Sequence, residues 1–433
     1  MTPLRLGYLI LGLWMLAGSA LASTPGEPLW TYRTTSSEGY SVAISENGTT
    51  IAAAAGQLYA LNGKGEKLWA GFGGTKVLIT ADGKFVVAGT DGGIRYLDTA
   101  GRTFWDDARY RPVASLVMTP DERYIAYMGD GTASLYTSAG VLLGRNTTYS
   151  ADSIAVAPDA TLMVITTPDA IVGLNESGIP VWNYESFENR QLAFAPDSSY
   201  LAVVSAYSVL GMHPSGNLLW TYRTPGEVMD LAVSADSSRV VAGSLEKEVY
   251  VLDRNGKLLW SRKTGDPANC VAVTANGSLV AVGTARGLDR NVYLFSGKGD
   301  LLWTAREQGW VKDLAFSGDG QYLAAVSDDG VVSLFSTAAP PATPLPTTAT
   351  PVSTGTVTIT PPIPTGTVTT ATSAGTATSP SPSPTGTTLS PETTAVATSA
   401  RPGTTSAGGT PFTLAVLAIA AAGWILLAGK RGR

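Results

Sequence analysis

One pattern recurs along most of this chain and restricts the folds that it can adopt. Tryptophan returns at a step of roughly 38 to 40 residues, and a fixed period of this length indicates a repeated structural unit. The tryptophan slots are Trp30, Trp69, Trp105, Gly144, Trp182, Trp220, Trp260 and Trp303, where Gly144 replaces tryptophan. A glycine lies four residues before seven of these slots, at Gly65, Gly101, Gly140, Gly178, Gly216, Gly256 and Gly299. A third marker is an acidic or amide residue in a tight turn, at Asn47, Asp82, Asp121, Asp159, Asp197, Asp236, Asn276 and Asp319.

Each repeat predicts four short β-strands. Between Met229 and Thr264 these are "MDLAVS", "SRVVAGS", "EVYVLD" and "KLLWSRKT". The second strand of each unit is almost continuously apolar, which is typical of a strand buried on both faces. Asp-Gly and Asn-Gly supply the positive backbone angles that two-residue hairpin turns require. Four-stranded units of about 40 residues are typical of β-propeller blades.

The number of repeats predicts eight blades. Sets of three strands begin near Tyr40, Lys76, Val113, Ser153, Gln191, Met229, Cys270 and Val311, and the last set ends without an outer strand. The hexapeptide "LWTYRT" occurs both at Leu29–Thr34 and at Leu219–Thr224. We therefore expect the amino-terminal segment "PLWTYRT" to complete the eighth blade and to remove two exposed sheet edges. The predicted fold class is all-β, an eight-bladed propeller over residues 23–336.

Several units resemble the repeats of PQQ-like, quinoprotein-type propellers. The clearest are "LYALNGKGEKLW" (Leu58–Trp69), "VYVLDRNGKLLW" (Val249–Trp260) and "VYLFSGKGDLLW" (Val292–Trp303). The inner hairpins, such as "LAFSGDGQYLAAVS", are equally similar to WD-type repeats. The resemblance implies eight blades, with each tryptophan docked on the neighbouring blade. Quinoprotein dehydrogenases also carry a vicinal cysteine pair and a calcium site with a catalytic aspartate, but this chain has one cysteine, Cys270.

Both ends of the chain differ in composition from the repeats. Residues 1–22 are predicted to be a signal peptide, because Arg5 precedes the apolar run "LGYLILGLWML" and small residues follow. Residues 337–410 are rich in Thr, Pro and Ser and predict an extended, disordered stalk. Residues 411–429 form an uncharged apolar run and are expected to be a transmembrane helix, with 430–433 as a basic cytoplasmic tail. A tail that is cut off and replaced by an anchor is the alternative.

This arrangement predicts a single-pass cell-surface protein with the propeller outside the cell. It is similar to the organisation of archaeal surface proteins. Four glycosylation sequons begin at Asn47, Asn146, Asn175 and Asn276, although turn geometry alone also explains Asn47 and Asn276. The propeller region carries 24 basic and 33 acidic residues, which argues against nucleic acid as a partner.

No catalytic or metal-binding constellation is evident in the sequence. His213 is the only histidine and lies in a predicted hairpin turn, so it is expected to be a solvated turn residue, and no histidine cluster can form. Cys270 begins an inner strand, where a buried and inert thiol is expected. The repeated aspartates are explained by turns. We therefore predict no catalytic residues, no metal and no cofactor.

The longer connections are the expected recognition elements. They include "WDDARYRP" (Trp105–Pro112), "NYESFENRQ" (Asn183–Gln191), "ARGLDRN" (Ala285–Asn291) and "REQGW" (Arg306–Trp310), all expected on one face of the ring. Aromatic and arginine side chains dominate binding hot spots. The candidate partner-binding residues are Arg109, Tyr110, Arg111, Tyr184, Phe187, Arg190 and Trp310.

The sequence thus predicts a non-catalytic module that binds a protein or an envelope polymer. Packing against adjacent loops is the alternative role for each candidate residue. A cofactor-dependent propeller enzyme, or a structural component of the envelope, is the alternative for the whole protein.

Overall fold

The computed structural model describes residues 24–36, 38–109 and 112–338. The chain divides into two units, Met1–Ala349 and Thr350–Arg433, and every described residue belongs to the first. The described part contains 32 strands arranged as eight antiparallel sheets of four strands each. The predicted all-β, eight-bladed propeller is confirmed.

The first four blades follow one another along the chain. Their strands are β2 (Ser41–Ile44), β3 (Thr50–Ala55), β4 (Gln57–Asn62), β5 (Lys67–Gly71), β6 (Lys76–Ile79), β7 (Phe85–Thr90), β8 (Gly93–Asp98), β9 (Thr103–Asp107), β10 (Val113–Met118), β11 (Tyr124–Gly129), β12 (Thr132–Thr137), β13 (Leu142–Asn146), β14 (Ser153–Val156), β15 (Leu162–Thr166), β16 (Ala170–Asn175) and β17 (Pro180–Glu185). Within each blade the strands lie side by side in sequence order.

Blades 5 to 7 repeat this arrangement, and the outer strand of blade 8 is β1, from the start of the propeller. The strands are β18 (Asn189–Phe194), β19 (Leu201–Ser205), β20 (Ser208–Met212), β21 (Leu218–Arg223), β22 (Val228–Val233), β23 (Arg239–Ser244), β24 (Glu248–Asp253), β25 (Leu258–Lys263), β26 (Ala268–Val273), β27 (Leu279–Thr284), β28 (Asn291–Ser296), β29 (Leu301–Arg306), β30 (Val311–Phe316), β31 (Tyr322–Ser327), β32 (Val331–Ser336) and β1 (Pro28–Arg33).

The ring closes through the predicted strand exchange. β1 pairs with β32, with Trp30 opposite Leu334 and Arg33 opposite Val331, so the sheet order of blade 8 is β1-β32-β31-β30. The Arg33 side chain also contacts Asp329 across this joint. The first copy of the repeated hexapeptide therefore occupies the same position in blade 8 that the second copy occupies in blade 5.

Packing between neighbouring blades uses the tryptophan and glycine markers together. The Trp220 indole lies against Gly256 of the next blade, where an added Cβ would come within 2.5 Å of the ring. Gly256 has a φ of +77°, and the Trp220 Nε1 donates to the Arg254 carbonyl at 3.0 Å. Only glycine combines this backbone angle with so close a ring. Gly26 (φ +82°) takes the same position for blade 8, four residues before Trp30, and the sequence analysis missed it.

The propeller has two distinct faces. Because the strands of a blade alternate in direction, the first-to-second and third-to-fourth turns meet on one face, which we call the turn face. The other two kinds of connection form the loop face. The described parts of its outer-to-inner loops are 34–36, 38–40, 72–75, 108–109, 112, 147–152, 186–188, 224–227, 264–267 and 307–310. Its second-to-third turns are 56, 91–92, 130–131, 167–169, 206–207, 245–247, 285–290 and 328–330.

The predicted signal peptide, most of the stalk and the predicted membrane span lie outside the described residues. Within the described part, no helix is long and apolar enough to cross a membrane.

Candidate functional site

The loop face carries exposed large apolar side chains. Leu288 is 79% exposed, Phe187 70% and Tyr207 55%. Tyr40, Phe72 and Trp310 on the same face are also exposed. Other exposed apolar side chains, such as Leu219, lie on the outer strands beside the docked tryptophans. Exposed aromatic side chains on irregular segments are typical of binding surfaces.

The most developed feature of this face is a groove at the joint between blades 4 and 5, which we call the aromatic groove. The open space within the groove measures about 580 Å³. Its lining comprises Tyr184, Glu185, Ser186, Phe187, Ser205, Ala206, Tyr207, Ser208, Leu210, Thr221, Arg223 and Thr224. Three aromatic rings and one arginine therefore surround a space large enough for a side chain of a partner.

Hydrogen bonds fix the two loops that carry these rings. The Ser205 hydroxyl donates to the Phe187 carbonyl at 2.9 Å, and the Thr224 backbone donates to the Tyr207 carbonyl at 2.8 Å. Ala206 adopts a φ of +47° at the tip of the turn, and its N–H donates to the Glu188 carbonyl at 3.1 Å. A preorganised backbone lowers the entropic cost of binding.

Two predicted residues lie in or beside the aromatic groove, and a third lies close by. Tyr184 and Phe187 line it, whereas Arg190 forms an ion pair with Glu227. Arg223, which the sequence analysis did not single out, also lines the groove.

Trp310 lies at another joint, between blades 7 and 8. Its Nε1 donates to the Gly287 carbonyl at 3.2 Å, and its backbone N–H donates to Asp328 at 2.6 Å. The Lys312 ammonium lies 5.9 Å from the indole centroid. These contacts pack Trp310 against the adjacent loops while leaving part of the ring exposed.

Arg109 lies at the joint between blades 2 and 3 and is held by Asp107. The Arg109 Nε donates to Asp107 at 2.8 Å, and Arg145, Tyr127 and Tyr136 also donate to this carboxylate. Burial opposes ionisation of Asp107, but the hydrogen bonds from Arg109 and the two tyrosines outweigh it and lower the pKa to about 2.

The structure does not gather the predicted residues into one site. Tyr184 and Phe187 are together, while Arg109 and Trp310 occupy separate joints. Tyr110 and Arg111 lie outside the described residues. Sequence reasoning missed Tyr207, because it searched long loops and Tyr207 lies in a tight turn. The available pattern was "AYS" at a turn where most other blades have Gly or Asp.

One position of the inner strand carries mostly polar residues around the ring. At the same position of successive blades these are Ser41, Lys76, Ser115, Ser153, Gln191, Asp230, Cys270 and Asp313. Two adjoining cavities of about 290 and 440 Å³ share Lys76 in their lining. Asp230 and Asp313 accept hydrogen bonds from the backbone N–H groups of Val271 and Val42 in the following blades. These carboxylates connect inner strands around the ring.

Burial controls the titration of the acidic and thiol groups at this position. It raises the pKa of Asp230 to about 6, against the opposing hydrogen bond from Val271, and it raises the pKa of Asp313. Burial, followed by the nearby carboxylates, raises the pKa of the Cys270 thiol. A thiol with a raised pKa is a poor nucleophile.

The four sequons occupy different environments. Asn47 and Asn276 are exposed on the turn face, and Asn175 is half-buried there. Asn146 is buried, and its Nδ2 donates to the Gly178 carbonyl at 2.9 Å. Glycosylation of all four sites stays a prediction.

The described residues contain no group of three or more His, Cys, Asp or Glu side chains placed to hold a metal ion. The His213 Nδ1 lies 2.7 Å from the Ser215 hydroxyl in its turn. The single cysteine cannot supply the vicinal pair of quinoprotein dehydrogenases.

Comparison with known families agrees with this architecture. The model for PQQ-like repeats, described as "Outer membrane protein assembly factor BamB", matches residues 19–149, 148–338 and 202–406. The chain belongs to the PQQ-like propeller family. No curated protein sequence matches it.

Solved structures similar to this PQQ-like propeller include a WD40 propeller. Chaetomium thermophilum Sqt1, bound to the N-terminus of the ribosomal protein L10, superposes with a TM-score of 0.60 at 17% identity over 70% of this chain and 98% of Sqt1. The C-terminal WD40 domain of Sif2 gives 0.62 at 15% identity over 72% of this chain and 97% of that domain. The computationally designed protein Ika8 gives 0.61 at 18% over 72% of this chain and 100% of Ika8. At these identities the likeness establishes the fold alone.

Proposed function

We propose that this protein is a membrane-anchored, extracellular propeller that binds a protein or an envelope polymer through its loop face and catalyses no reaction. The observation that carries the proposal is the aromatic groove, where Phe187 and Tyr207 remain largely exposed on hydrogen-bonded loops. Burying such rings supplies most of the favourable energy in a typical interface.

The chain path is compatible with binding on this face. β1 starts and β32 ends on the turn face, where Thr337 donates to the Gly320 carbonyl at 2.6 Å. Both ends of the described propeller chain therefore lie on the face opposite the aromatic groove.

The groove favours a partner side chain with an apolar body. Tyr184, Phe187 and Tyr207 can enclose it, and the Arg223 guanidinium can pair with an acidic or carbonyl group beside it. Arg190 is already paired with Glu227 and is not part of the groove lining.

The test is a crosslinked capture from native envelope extract with the full-length protein as bait. The double variant F187A/Y207A removes two exposed rings from the aromatic groove. The matched control L219A/L259A removes exposed apolar side chains from outer strands instead. We expect material captured by the wild type and by the control to be lost with F187A/Y207A. Equal capture by all three proteins would show that the partner binds a surface other than the aromatic groove.

Two further measurements refine the assignment. Protease or glycosidase treatment of the captured material separates a protein partner from a polymer. Alanine variants at Arg109 and Trp310 lie at other joints and are expected to reduce capture much less than F187A/Y207A.

Family membership favours a second candidate, a quinone-dependent propeller enzyme. Cys270 alone cannot form a vicinal cysteine pair. A quinone absorbance band in the purified full-length protein, together with alcohol or aldose oxidation after reconstitution with the quinone, would favour the enzyme over the binding module.

A further inference from the structure

The joint between blades 7 and 8 lacks a side chain that other joints possess. On the third strand of each blade, one residue pairs with the residue in the outer tryptophan slot. In blades 1, 6 and 7 these pairs are Ala60 with Trp69, Val251 with Trp260 and Leu294 with Trp303. The residue immediately before the paired one on the third strand is a tyrosine in all three blades, namely Tyr59, Tyr250 and Tyr293. In blade 8 it is Ser333, which precedes Leu334, the partner of Trp30.

The tyrosines at this position fill the joint with the preceding blade. The Tyr59 hydroxyl lies 2.8 Å from the Thr35 hydroxyl and accepts a hydrogen bond from the Thr35 backbone at 3.2 Å. The Tyr293 hydroxyl accepts from the Gly265 backbone at 3.1 Å. In each case the phenol group reaches the loop that follows the outer strand of the previous blade.

At two of these three joints a second ring packs beside the tyrosine. The outer strand of the preceding blade supplies Tyr32 at 5.9 Å from Tyr59, and Tyr222 at 5.8 Å from Tyr250. At the joint between blades 7 and 8 the residue two positions after Trp303 is Ala305. Both members of the aromatic pair are therefore absent from this joint.

The missing rings leave a cavity of about 280 Å³, which we call the joint pocket. Phe335, Val331 and Pro28 supply apolar walls. The polar residues of the lining are Thr31, Arg33, Arg306, Glu307, Gln308 and Ser333. The Ser333 side chain is almost fully buried, and its hydroxyl makes no hydrogen bond of good geometry within the described residues.

Glu307 is also unusual for its position, four residues after the outer tryptophan. Blades 5, 6 and 8 have Thr224, Thr264 and Thr34 there, and each threonine hydroxyl donates to a loop carbonyl. Glu307 places a carboxylate at this position with only 7% of the residue exposed. An ionised carboxylate only accepts hydrogen bonds, so it needs donors that a threonine does not.

The protein supplies few donors to this carboxylate. Burial raises the pKa of Glu307, the nearby Ser333 hydroxyl lowers it, and Asp329 raises it further. Within the described residues Glu307 has no ion pair, since Arg33 pairs with Asp329 and the Arg306 guanidinium donates to the Leu288 carbonyl at 3.2 Å. The joint pocket thus combines an apolar space large enough for an aromatic ring with the Glu307 carboxylate, an acceptor that has no strong hydrogen-bond donor.

We propose that the joint pocket binds an aromatic ring that carries a hydrogen-bond donor, of which a phenol is the simplest example. The ring occupies the space that Tyr59, Tyr250 and Tyr293 fill in their own blades. Its hydroxyl donates to the Glu307 carboxylate, and the Ser333 hydroxyl provides a second polar contact. The ring can come from a free phenolic molecule or from a tyrosine side chain of a partner.

The test measures binding of two probes to the full-length protein by saturation-transfer NMR. p-Cresol represents a free phenol, and N-acetyltyrosinamide represents a tyrosine in a chain. Toluene is the matched probe without a donor. We expect saturable binding of p-cresol and at least about tenfold weaker binding of toluene, because toluene leaves the buried acceptor unpaired.

Two variants locate the site. S333Y introduces the tyrosine that blades 1, 6 and 7 have at this position and is expected to abolish p-cresol binding while preserving or raising the melting temperature. E307Q keeps the shape of the side chain but removes the charged acceptor, and is expected to weaken p-cresol binding several-fold. E307Q keeps the test valid if S333Y does not fold.

The binding data decide whether the proposal holds and what kind of ligand the joint pocket takes. Loss of p-cresol binding in S333Y together with weakening in E307Q supports the proposal. Tighter binding of N-acetyltyrosinamide than of p-cresol assigns the pocket to a partner side chain, and the reverse order assigns it to a small molecule. No saturable binding of either probe, or equal binding by wild type, S333Y and E307Q, would overturn it.

Discussion

The joint between blades 5 and 6 and the joint between blades 3 and 4 solve the same packing problem in different ways. In the first, the Trp220 indole covers Gly256 and donates to the Arg254 carbonyl. In the second, Gly144 replaces the tryptophan, and the backbone around Arg145 lies directly against Gly178. Asn146 then supplies the hydrogen bond across the joint that an indole supplies elsewhere.

The joint between blades 3 and 4, which we call the polar joint, is also connected to blade 2 by hydrogen bonds. The Arg145 guanidinium donates to Asp107 at 3.0 Å and to the Tyr136 hydroxyl at 3.0 Å. A side chain that follows the tryptophan slot thus anchors blade 3 to blade 2. The comparison shows that the repeat requires a filled and hydrogen-bonded joint, which either a large ring or a close backbone contact with polar side chains can provide.

Replacing the indole should have the largest effect. W220A removes a partly buried ring from the joint between blades 5 and 6, and we expect a loss of about 3 to 5 kcal/mol in the free energy of unfolding, measured by denaturant titration. L219A, which truncates the exposed neighbouring side chain, should change it by less than about 0.5 kcal/mol. Similar values for both variants would show that the indole does not hold the joint.

The negative charge on Asp107 should make the next largest contribution to the free energy of unfolding. Its folded pKa is lowered to about 2, below the value of about 3.9 expected in the unfolded chain. The stabilisation is therefore complete above about pH 4 and is lost as the pH falls towards 2, a change of about 2 to 3 kcal/mol. D107N should be less stable than wild type at pH 7, and the difference should shrink by pH 2. A difference that is independent of pH would contradict this linkage.

Adding one methyl group should disturb the polar joint. In G144A the new Cβ would collide with the Glu176 carbonyl, so the two backbones must separate, and we expect a loss of about 2 kcal/mol by thermal or chemical denaturation. G71A is the matched control on an outer strand, because its Cβ would meet nothing within 4 Å. Equal stability of the two variants would mean that close backbone approach is not needed at residue 144.

The smallest expected effect concerns the bond across the polar joint. N146A removes the donor to the Gly178 carbonyl and should cost about 1 to 2 kcal/mol. N276A, on the exposed turn, tests whether loss of any turn amide has the same effect. Hydrogen exchange should accelerate at the joint between blades 3 and 4 in N146A alone. Unchanged exchange there would assign the joint to backbone packing.

The sequence predicted the blades, their number and their closure because these depend on local requirements. Each turn needs a residue that tolerates a positive φ, and each joint needs a filled slot, so glycines, aspartates and tryptophans recur at fixed spacing. Gly26 obeys the same four-residue spacing before Trp30 but was not counted, although it completes the series.

The candidate sites were less predictable because they depend on neighbours from different blades. Nothing in the sequence near Tyr207 indicates that it lies beside Phe187, and the pairing of Asp107 with Arg109 becomes evident only from their geometry. The joint pocket arises from Ala305, Glu307 and Ser333 together, and the register of two separate sheets brings these residues into one place. The binding role of the predicted loop residues stays a prediction.

The position of β32 has a mechanical consequence. This strand is the last of the propeller, yet it lies between β31 and β1 and is hydrogen-bonded along both edges. Tension applied to the chain beyond Thr337 acts along the length of β32, so the hydrogen bonds to both neighbours must shear together before the strand can slide. A terminal strand on a sheet edge could instead be peeled away one bond at a time. The closure by β1 therefore gives the carboxyl-terminal end of the propeller a high resistance to pulling.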